Sequence, residues 1–218
     1  MVLLPGRGHT VRTVRGMPMT YLVNDIFYTL QGEGYWTGRP AVFVRFSRCN
    51  LWTGREEDRA TAICRFCDTD FTHANRMTAD QIAAQVRELW DGDDAFVVLT
   101  GGEPTLQVDD ELLTALQPAY IAIETNGTRP VPDKVDWVCV SPKAGAPLYQ
   151  DHGDELKVVW PQPGLDLDVL RQLRFDHYWL SPMDGPDKDA HTATVFLRVL
   201  ADQCWRLNIQ THKVIGVK

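Results

Sequence analysis

The sequence predicts an α/β fold, an incomplete and splayed (β/α)6-type partial TIM barrel with parallel strands. Three observations lead there. Short apolar runs rich in β-branched residues alternate with stretches of helical periodicity, the pattern of parallel strands joined by right-handed crossovers. Polar clusters follow those runs one after another, and in parallel α/β folds ligands gather at the carboxyl ends of strands. The chain has 218 residues. A complete eight-unit barrel typically takes roughly 250, so about six core strands fit this length.

The elements follow in order. Strand-like runs, bounded by turn residues, are Tyr21–Tyr28, Ala41–Phe46, Phe96–Leu99, Tyr120–Ile123, Val135–Val140, Glu155–Trp160, Tyr178–Leu180 and Trp205–Ile209. Thr78 with Gln81 forms a capping-box signature. Ile82, Val86, Leu89 and Trp90 then share one helical face, and Gly92 supplies a stop. Asp109 and Asp110 open a second helix containing Leu112, Leu113 and Leu116, with acids where the helix dipole favours them. Residues 165–173 and 192–202 are further helical candidates. No repeat or linker divides the chain, so residues 19–218 read as a single domain. Residues 1–18 hold three arginines and no acid. They lack an amphipathic stripe and are broken by Pro5 and Gly6, which predicts a flexible N-terminal extension rather than a targeting segment.

Composition narrows the function. An apolar fraction of 44% is ordinary for a domain with a core, and a formal charge of −7 lacks the basic footprint of a nucleic-acid binder. No apolar run approaches the roughly 20 residues that cross a membrane. Five cysteines, an odd number, without a secretory signal imply reduced thiols and a cytoplasmic protein. Cys139 and Cys204 lie in apolar segments and are expected in the core.

The other three, Cys49, Cys64 and Cys67, stand as C-x14-C-x2-C with no fourth cysteine nearby. A closed structural metal site takes four protein ligands, whereas a site built for chemistry leaves a position open. Two readings follow. One is a zinc site with His73 as fourth ligand, stabilising a non-catalytic interaction module. The other is a four-iron, four-sulfur cluster with one iron free for a small molecule. Residues at the strand ends favour an enzyme. Gln31 and Glu33 (LQGEG) follow the first strand, and Arg45 and Cys49 the second. Thr100, Gly101, Gly102 and Glu103 (TGGEP) come next, then Asn126 (ETNGT), Ser141 and Lys143 (SPK), SPMD at 181–184, and His212 (QTHK). Two glycines after a strand let backbone approach a ligand closely. Glu103 offers a carboxylate to an ammonium group. Phe66, between two cysteines, shields a cluster or simply packs. Asp68 and Thr69 offer hard oxygens, which suit Mg2+ rather than iron.

Together the strings IFYTLQGEGYWTGRPAVFVRFSRCNLW, CRFCDTDF, TGGEPTL, ETNGT, VSPK, LSPMDG and QTHK resemble the radical S-adenosylmethionine (SAM) superfamily. More narrowly they resemble its 7-carboxy-7-deazaguanine synthases, over residues 21–218. The common superfamily spacing is C-x3-C-x2-C. This chain carries an enlarged cluster loop at 50–63, polar and charged, of the kind some synthases of this family have.

The resemblance implies a lyase-type ring contraction of 6-carboxy-5,6,7,8-tetrahydropterin to 7-carboxy-7-deazaguanine and ammonia, in queuosine or other deazapurine biosynthesis. It implies a [4Fe-4S] cluster on Cys49, Cys64 and Cys67, with Mg2+ on Thr69. SAM would meet Phe66, Gly101, Gly102, Glu103, Asn126, Ser141 and Lys143. Gln31, Glu33, Arg45, Thr100, His212 and the carboxylate of Lys218 would hold the pterin. A flavodoxin or ferredoxin as electron donor, and a homodimer, come with the family. Another radical SAM enzyme, such as a glycyl-radical activase, would share the cluster and GGEP loop but would not need LQGEG.

Overall fold

A computed structural model describes residues 19–218; the expected N-terminal extension lies outside them. Nine strands form one sheet in the order β3-β1-β2-β4-β5-β6-β7-β8-β9. They are β1 (Tyr21–Leu30), β2 (Pro40–Phe46), β3 (Asn75–Met77), β4 (Phe96–Gly101), β5 (Tyr120–Thr125), β6 (Trp137–Val140), β7 (His152–Trp160), β8 (Arg174–Pro182) and β9 (Arg206–Leu207). From β2 onward every pairing in that order is parallel. β3 and β9 occupy opposite edges, so the barrel is open, and six parallel strands precede the two-residue β9. This is the incomplete barrel expected from the sequence.

The beginning of the chain departs from the expected alternation. β1 pairs antiparallel with both β2 and β3. Its link to β2 is a nine-residue turn over 31–39 rather than a helical crossover, because Gly34 and Gly38 adopt positive φ and fold the chain back at once. β3 escaped the sequence reading, since its three residues Asn-Arg-Met have no apolar alternation.

Helices α1 (Ala79–Leu89), α2 (Asp110–Ala115), α3 (Leu167–Leu170), α4 (Lys188–Ala201) and α5 (Thr211–Ile215) complete the fold. α1 starts where predicted: the Thr78 side chain accepts from the Gln81 N–H, and the Gln81 side chain answers to the Thr78 backbone. Its Ile82 and Val86 pack with Val42, Val44, Leu99 and Ile121 from the outer sheet face. Each such burial contributes about 1.5–3 kcal/mol. Around β7 and β8 the corresponding core is Leu156, Val158, Leu180, Val195 and Trp205. The connections β5–β6 and β6–β7 carry no helix. The last strand is shorter than predicted, and His212 lies on α5 rather than beyond a strand. Cys139 is buried, but Cys204 is exposed, contrary to the core placement expected of it; it sits in the α4–β9 turn, where its N–H bonds Asp202.

The inner sheet face has two layers. At the amino ends of the strands Phe96, Val98, Ala41 and Ala122 are buried under Trp36, Phe43, Tyr120 and Trp137. Tyr35 and Trp36 come from the β1–β2 turn, which therefore enters the barrel and stoppers it. Arg39 lies over the rings of Trp36 and Phe96, 4.5 and 4.1 Å from their centroids. Above this stopper, toward the carboxyl ends, the inner face becomes polar.

Candidate active site

That polar layer opens into a cleft of about 440 Å3 at the carboxyl ends of the strands. Its walls include Gln31, Glu33, Arg45, Cys49, Cys64, Phe66, Cys67, Thr69, Thr100, Gly101, Gly102, Asn126, Ser141, Lys143, His212 and Lys218. These are all the predicted site residues but one. Glu103 is fully buried behind the wall. Its Oε1 accepts from Thr105 N (3.0 Å), Thr105 Oγ1 (2.6 Å) and Thr125 Oγ1 (2.7 Å), and its Oε2 accepts from Asn126 N (2.7 Å). The carboxylate therefore locks the end of β5 to the turn after β4, and the structure does not place it where a ligand's ammonium group would reach it.

The two glycines before it also act differently from the expectation. A Cβ on Gly102 would stand 1.9 Å from the Arg48 carbonyl oxygen, and one on Gly101 2.2 Å from that of Phe46. Their lack of side chain admits the β2 backbone. Gly102 N donates to Phe46 O (2.9 Å) and Glu103 N to Arg48 O (2.8 Å), which prolongs the β2–β4 pairing up to Cys49. Arg48, the one described non-glycine residue with positive φ (72°), makes the turn that presents Cys49. Asn50 continues the tie: Asn126 Nδ2 donates to its Oδ1 at 3.0 Å, and its own Nδ2 donates to Thr128 at 2.8 Å.

Cys64 and Cys67 directly follow the enlarged loop, which contains a short 3-10 helix at Glu56–Thr61. Trp52 packs edge-on against Phe71 beneath it, and Arg59 caps Trp52 at 4.1 Å while donating to the carbonyls of Arg65 and Cys67. The Cys64 thiol donates to Cys67 sulfur. That bond holds Cys67 down to about 6, and together with burial it drives Cys64 well up. Burial raises Cys49. His73 is exposed and off the cleft wall, and its carbonyl accepts from Asn24 and Ser47. The Cys3His zinc site therefore does not assemble. Among the described residues no three His, Cys, Asp or Glu side chains converge as a single-ion site. Three thiols facing one cleft, without a fourth, fit a cubic cluster with one iron free for a small molecule.

The cleft is also charged, and Lys143 stands near Cys64 and Cys67. Lys143 Nζ is part-buried and donates to Ser141 O (2.6 Å) and Oγ (2.7 Å), and desolvation lowers its pKa. Lys157, pointing inward from β7, pairs with Glu33 at 2.6 Å and Glu124 at 3.1 Å. Gln31 Nε2 donates to Glu124 (2.9 Å) and Gln210 Nε2 to Glu33 (2.9 Å). The sequence reading missed Lys157, and it placed Glu124 and Gln210 on the rim without giving either a role. Glu124 lay in the quoted ETNGT string, but Lys157 sits inside an apolar strand, where only its inward parity marks it. Arg45 projects from β2 with Nε buried and unpartnered, its guanidinium 5.4 Å from the Phe27 ring. The C-terminal segment crosses the mouth. Thr211 N donates to Gly32 O at 2.9 Å, and Thr29 Oγ1 donates to a main-chain oxygen of Lys218 at 2.9 Å. Lys213 bridges Asp68 and Asp184, each at 2.5 Å, and Lys218 pairs with Asp25.

Comparison with known proteins agrees with this geometry. The model of the radical SAM superfamily matches residues 59–153. The 7-carboxy-7-deazaguanine synthase of Caulobacter vibrioides is 51% identical over 91% of this chain and 100% of its own length. That of Burkholderia multivorans is likewise 51% identical, over 91% and 100%. The crystal structure of QueE from Escherichia coli superposes with a TM-score of 0.67 at 26% identity, covering 88% of this chain and 95% of its own. A cleft with three cysteines at the open end of a partial barrel, and relatives of this similarity along their full lengths, lead to one conclusion: the chain belongs to the 7-carboxy-7-deazaguanine synthase family of radical SAM enzymes.

Proposed function

We propose that this protein contracts 6-carboxy-5,6,7,8-tetrahydropterin to 7-carboxy-7-deazaguanine with release of ammonia. The observation that carries the reading is the composition of one cleft. Three cysteines without a fourth line it together with Arg45, whose Nε is buried, and the acceptors Glu33 and Glu124. Cys49, Cys64 and Cys67 would hold a cluster that, with SAM bound, would supply radical hydrogen-transfer chemistry. The rest of the chemistry is orientation and exclusion of water by the chain itself.

In this reading Cys49, Cys64 and Cys67 hold the cluster. Phe66, Gly101, Gly102, Asn126, Ser141 and Lys143 surround SAM, and Lys143 is a part-buried cation for its carboxylate. Glu103 acts one step back, holding the Asn126 N–H. Arg45 takes the pterin carboxylate, because a guanidinium fork matches a carboxylate at two points. Gln31, Glu33, Thr100 and His212, with the terminal carboxylate of Lys218, meet the ring. Thr69 offers a hydroxyl to Mg2+, a hard cation that would complete the polar end of the site. A flavodoxin or ferredoxin delivers the electron, and the enzyme works as a homodimer.

The test is anaerobic turnover of reconstituted protein with SAM, Mg2+, reductant and the tetrahydropterin, followed by mass spectrometry. The expected result is 7-carboxy-7-deazaguanine in excess over SAM consumed. Formation of 5′-deoxyadenosine alone would keep the radical SAM chemistry and overturn the substrate.

A further inference from the structure

Lys157 is a charged side chain in the middle of β7, between Leu156 and Val158, both fully buried. Its strand neighbours face the outer core, so parity turns Lys157 into the barrel, and its side chain is only 7% exposed. Such a cation is costly unless paired. Here it touches two carboxylates from different elements: Glu33 on the β1–β2 turn at 2.6 Å and Glu124 at the end of β5 at 3.1 Å. Each carboxylate has one further donor, Gln210 for Glu33 and Gln31 for Glu124. A carboxylate offers about four lone-pair sites, so both keep acceptor capacity, and both line the cleft.

Resting on the function proposed above, we infer that Lys157 is a positioning residue for the substrate. Its ammonium group fixes Glu33 and Glu124 as ionised acceptors for the ring N–H donors, without touching the substrate itself. One cation between two anions leaves a single net negative charge, and it draws two independent elements onto the same floor. The other groups facing this cluster do not replace Lys157. Glu155, on the same strand, is taken by Tyr35 N (2.7 Å) and Trp137 Nε1 (2.6 Å). Cys139 on β6 is held neutral by burial. Lys143 is bonded to Ser141. His212 on α5 adds a weaker attraction on Glu33.

The charge states follow from this arrangement. Burial by itself would raise Glu33, but the Lys157 charge and hydrogen bond, with the Gln210 amide, outweigh it and hold the carboxyl down at about 2. Burial likewise works against the Lys157 charge, yet Glu124 and Glu33 raise its pKa well above the ordinary value. Without the lysine only the Gln210 amide and the weaker His212 attraction oppose burial, so the Glu33 carboxyl titrates higher than in wild type.

The experiment compares wild type with Lys157→Met and Lys157→Arg. Iron and sulfide content and SAM affinity report that fold and cofactor half are intact, and calorimetry measures substrate affinity between pH 5 and 8. Wild type and Lys157→Arg are expected to show a flat profile. Lys157→Met is expected to lose about tenfold in affinity at neutral pH, the scale of one charged hydrogen-bond contact, and more toward acid. A flat, undiminished profile for Lys157→Met would overturn the inference. So would equal loss of SAM and substrate affinity, the mark of a merely structural role. Should Lys157→Met fail to fold, Glu124→Gln is compared with the Glu124→Gln, Lys157→Gln double variant, which carries the same net charge as wild type. An acid-sensitive profile in the double variant alone supports the inference, and identical profiles overturn it. Wild-type turnover is run alongside: its absence counts against the function proposed above, whereas active wild type with an insensitive Lys157 counts against this inference alone.

Discussion

At Arg45 the burial of an unpartnered Nε beside Phe27 defines what the side chain is for. An unpaired buried donor costs about 1–3 kcal/mol, which a ligand carboxylate would recover. Arg45→Lys removes the fork but keeps the charge, so substrate Kd is expected to rise about tenfold while SAM affinity stays constant; isothermal titration with each ligand separates the two. Gly102 makes the opposite kind of prediction. With 1.9 Å between a Cβ and the Arg48 oxygen, Gly102→Ala must push the Cys49 turn away from β4. Thermal denaturation should show a loss of about 2–4 kcal/mol, and iron retention should fall, since Cys49 moves with that turn. The identity of these residues was legible in the sequence, because cysteines, arginine and paired glycines are rare enough to stand out. Their mechanics were not. Whether a glycine faces a ligand or a neighbouring strand depends on register, and whether Glu103 points outward or into the turn depends on which N–H groups surround it.

Helix α1 shows how an element can be read whole from a few letters. The Thr78–Gln81 box and the Ile82–Val86 spacing located both its start and its buried face. Replacing Thr78 by alanine should cost about 1 kcal/mol in urea denaturation, with turnover per loaded cluster unchanged, because the helix packs on the outer face of the sheet, away from the cleft. Elements without such internal logic were less visible. β3 exists because three residues after the cluster loop happen to lie along β1, and their pairing is set by the chain returning from Phe71 rather than by their own composition. The antiparallel β1–β2 pair was misread for a related reason: two strands in sequence look the same whether the turn between them is a hairpin or a crossover. Length was the available signal, since nine residues are too few for the dozen or more a parallel connection needs.

Over the whole molecule, residues far apart in the chain converge because the parallel strands deliver them to one rim, and this the sequence made plain: polar strings after each strand run gathered as expected. The closure of that rim by the C-terminal segment was not legible, since it depends on contacts such as Lys213 with Asp68 and Asp184 that join the cluster loop, the end of β8 and α5. These pairs are partly exposed, so each contributes about 1 kcal/mol or less. Lys213→Met should leave the melting temperature within a degree or two but speed amide exchange over residues 209–218 and raise KM for substrate a few-fold, about what one weak ion pair is worth. Wild type at high salt should move the same way.

The aromatic stopper of Tyr35, Trp36 and Arg39 has a consequence for traffic. With the amino-terminal end of the barrel filled by Phe96, Val98 and Trp36, the described residues leave the reaction vessel one door, at the rim where the cysteines stand. Whatever seats lowest, against Glu33 and Glu124, must arrive before the door is occupied and depart after it is vacated. Entry and exit then run in a fixed sequence, last in and first out, imposed by a nine-residue turn that contacts the reactants on one side only.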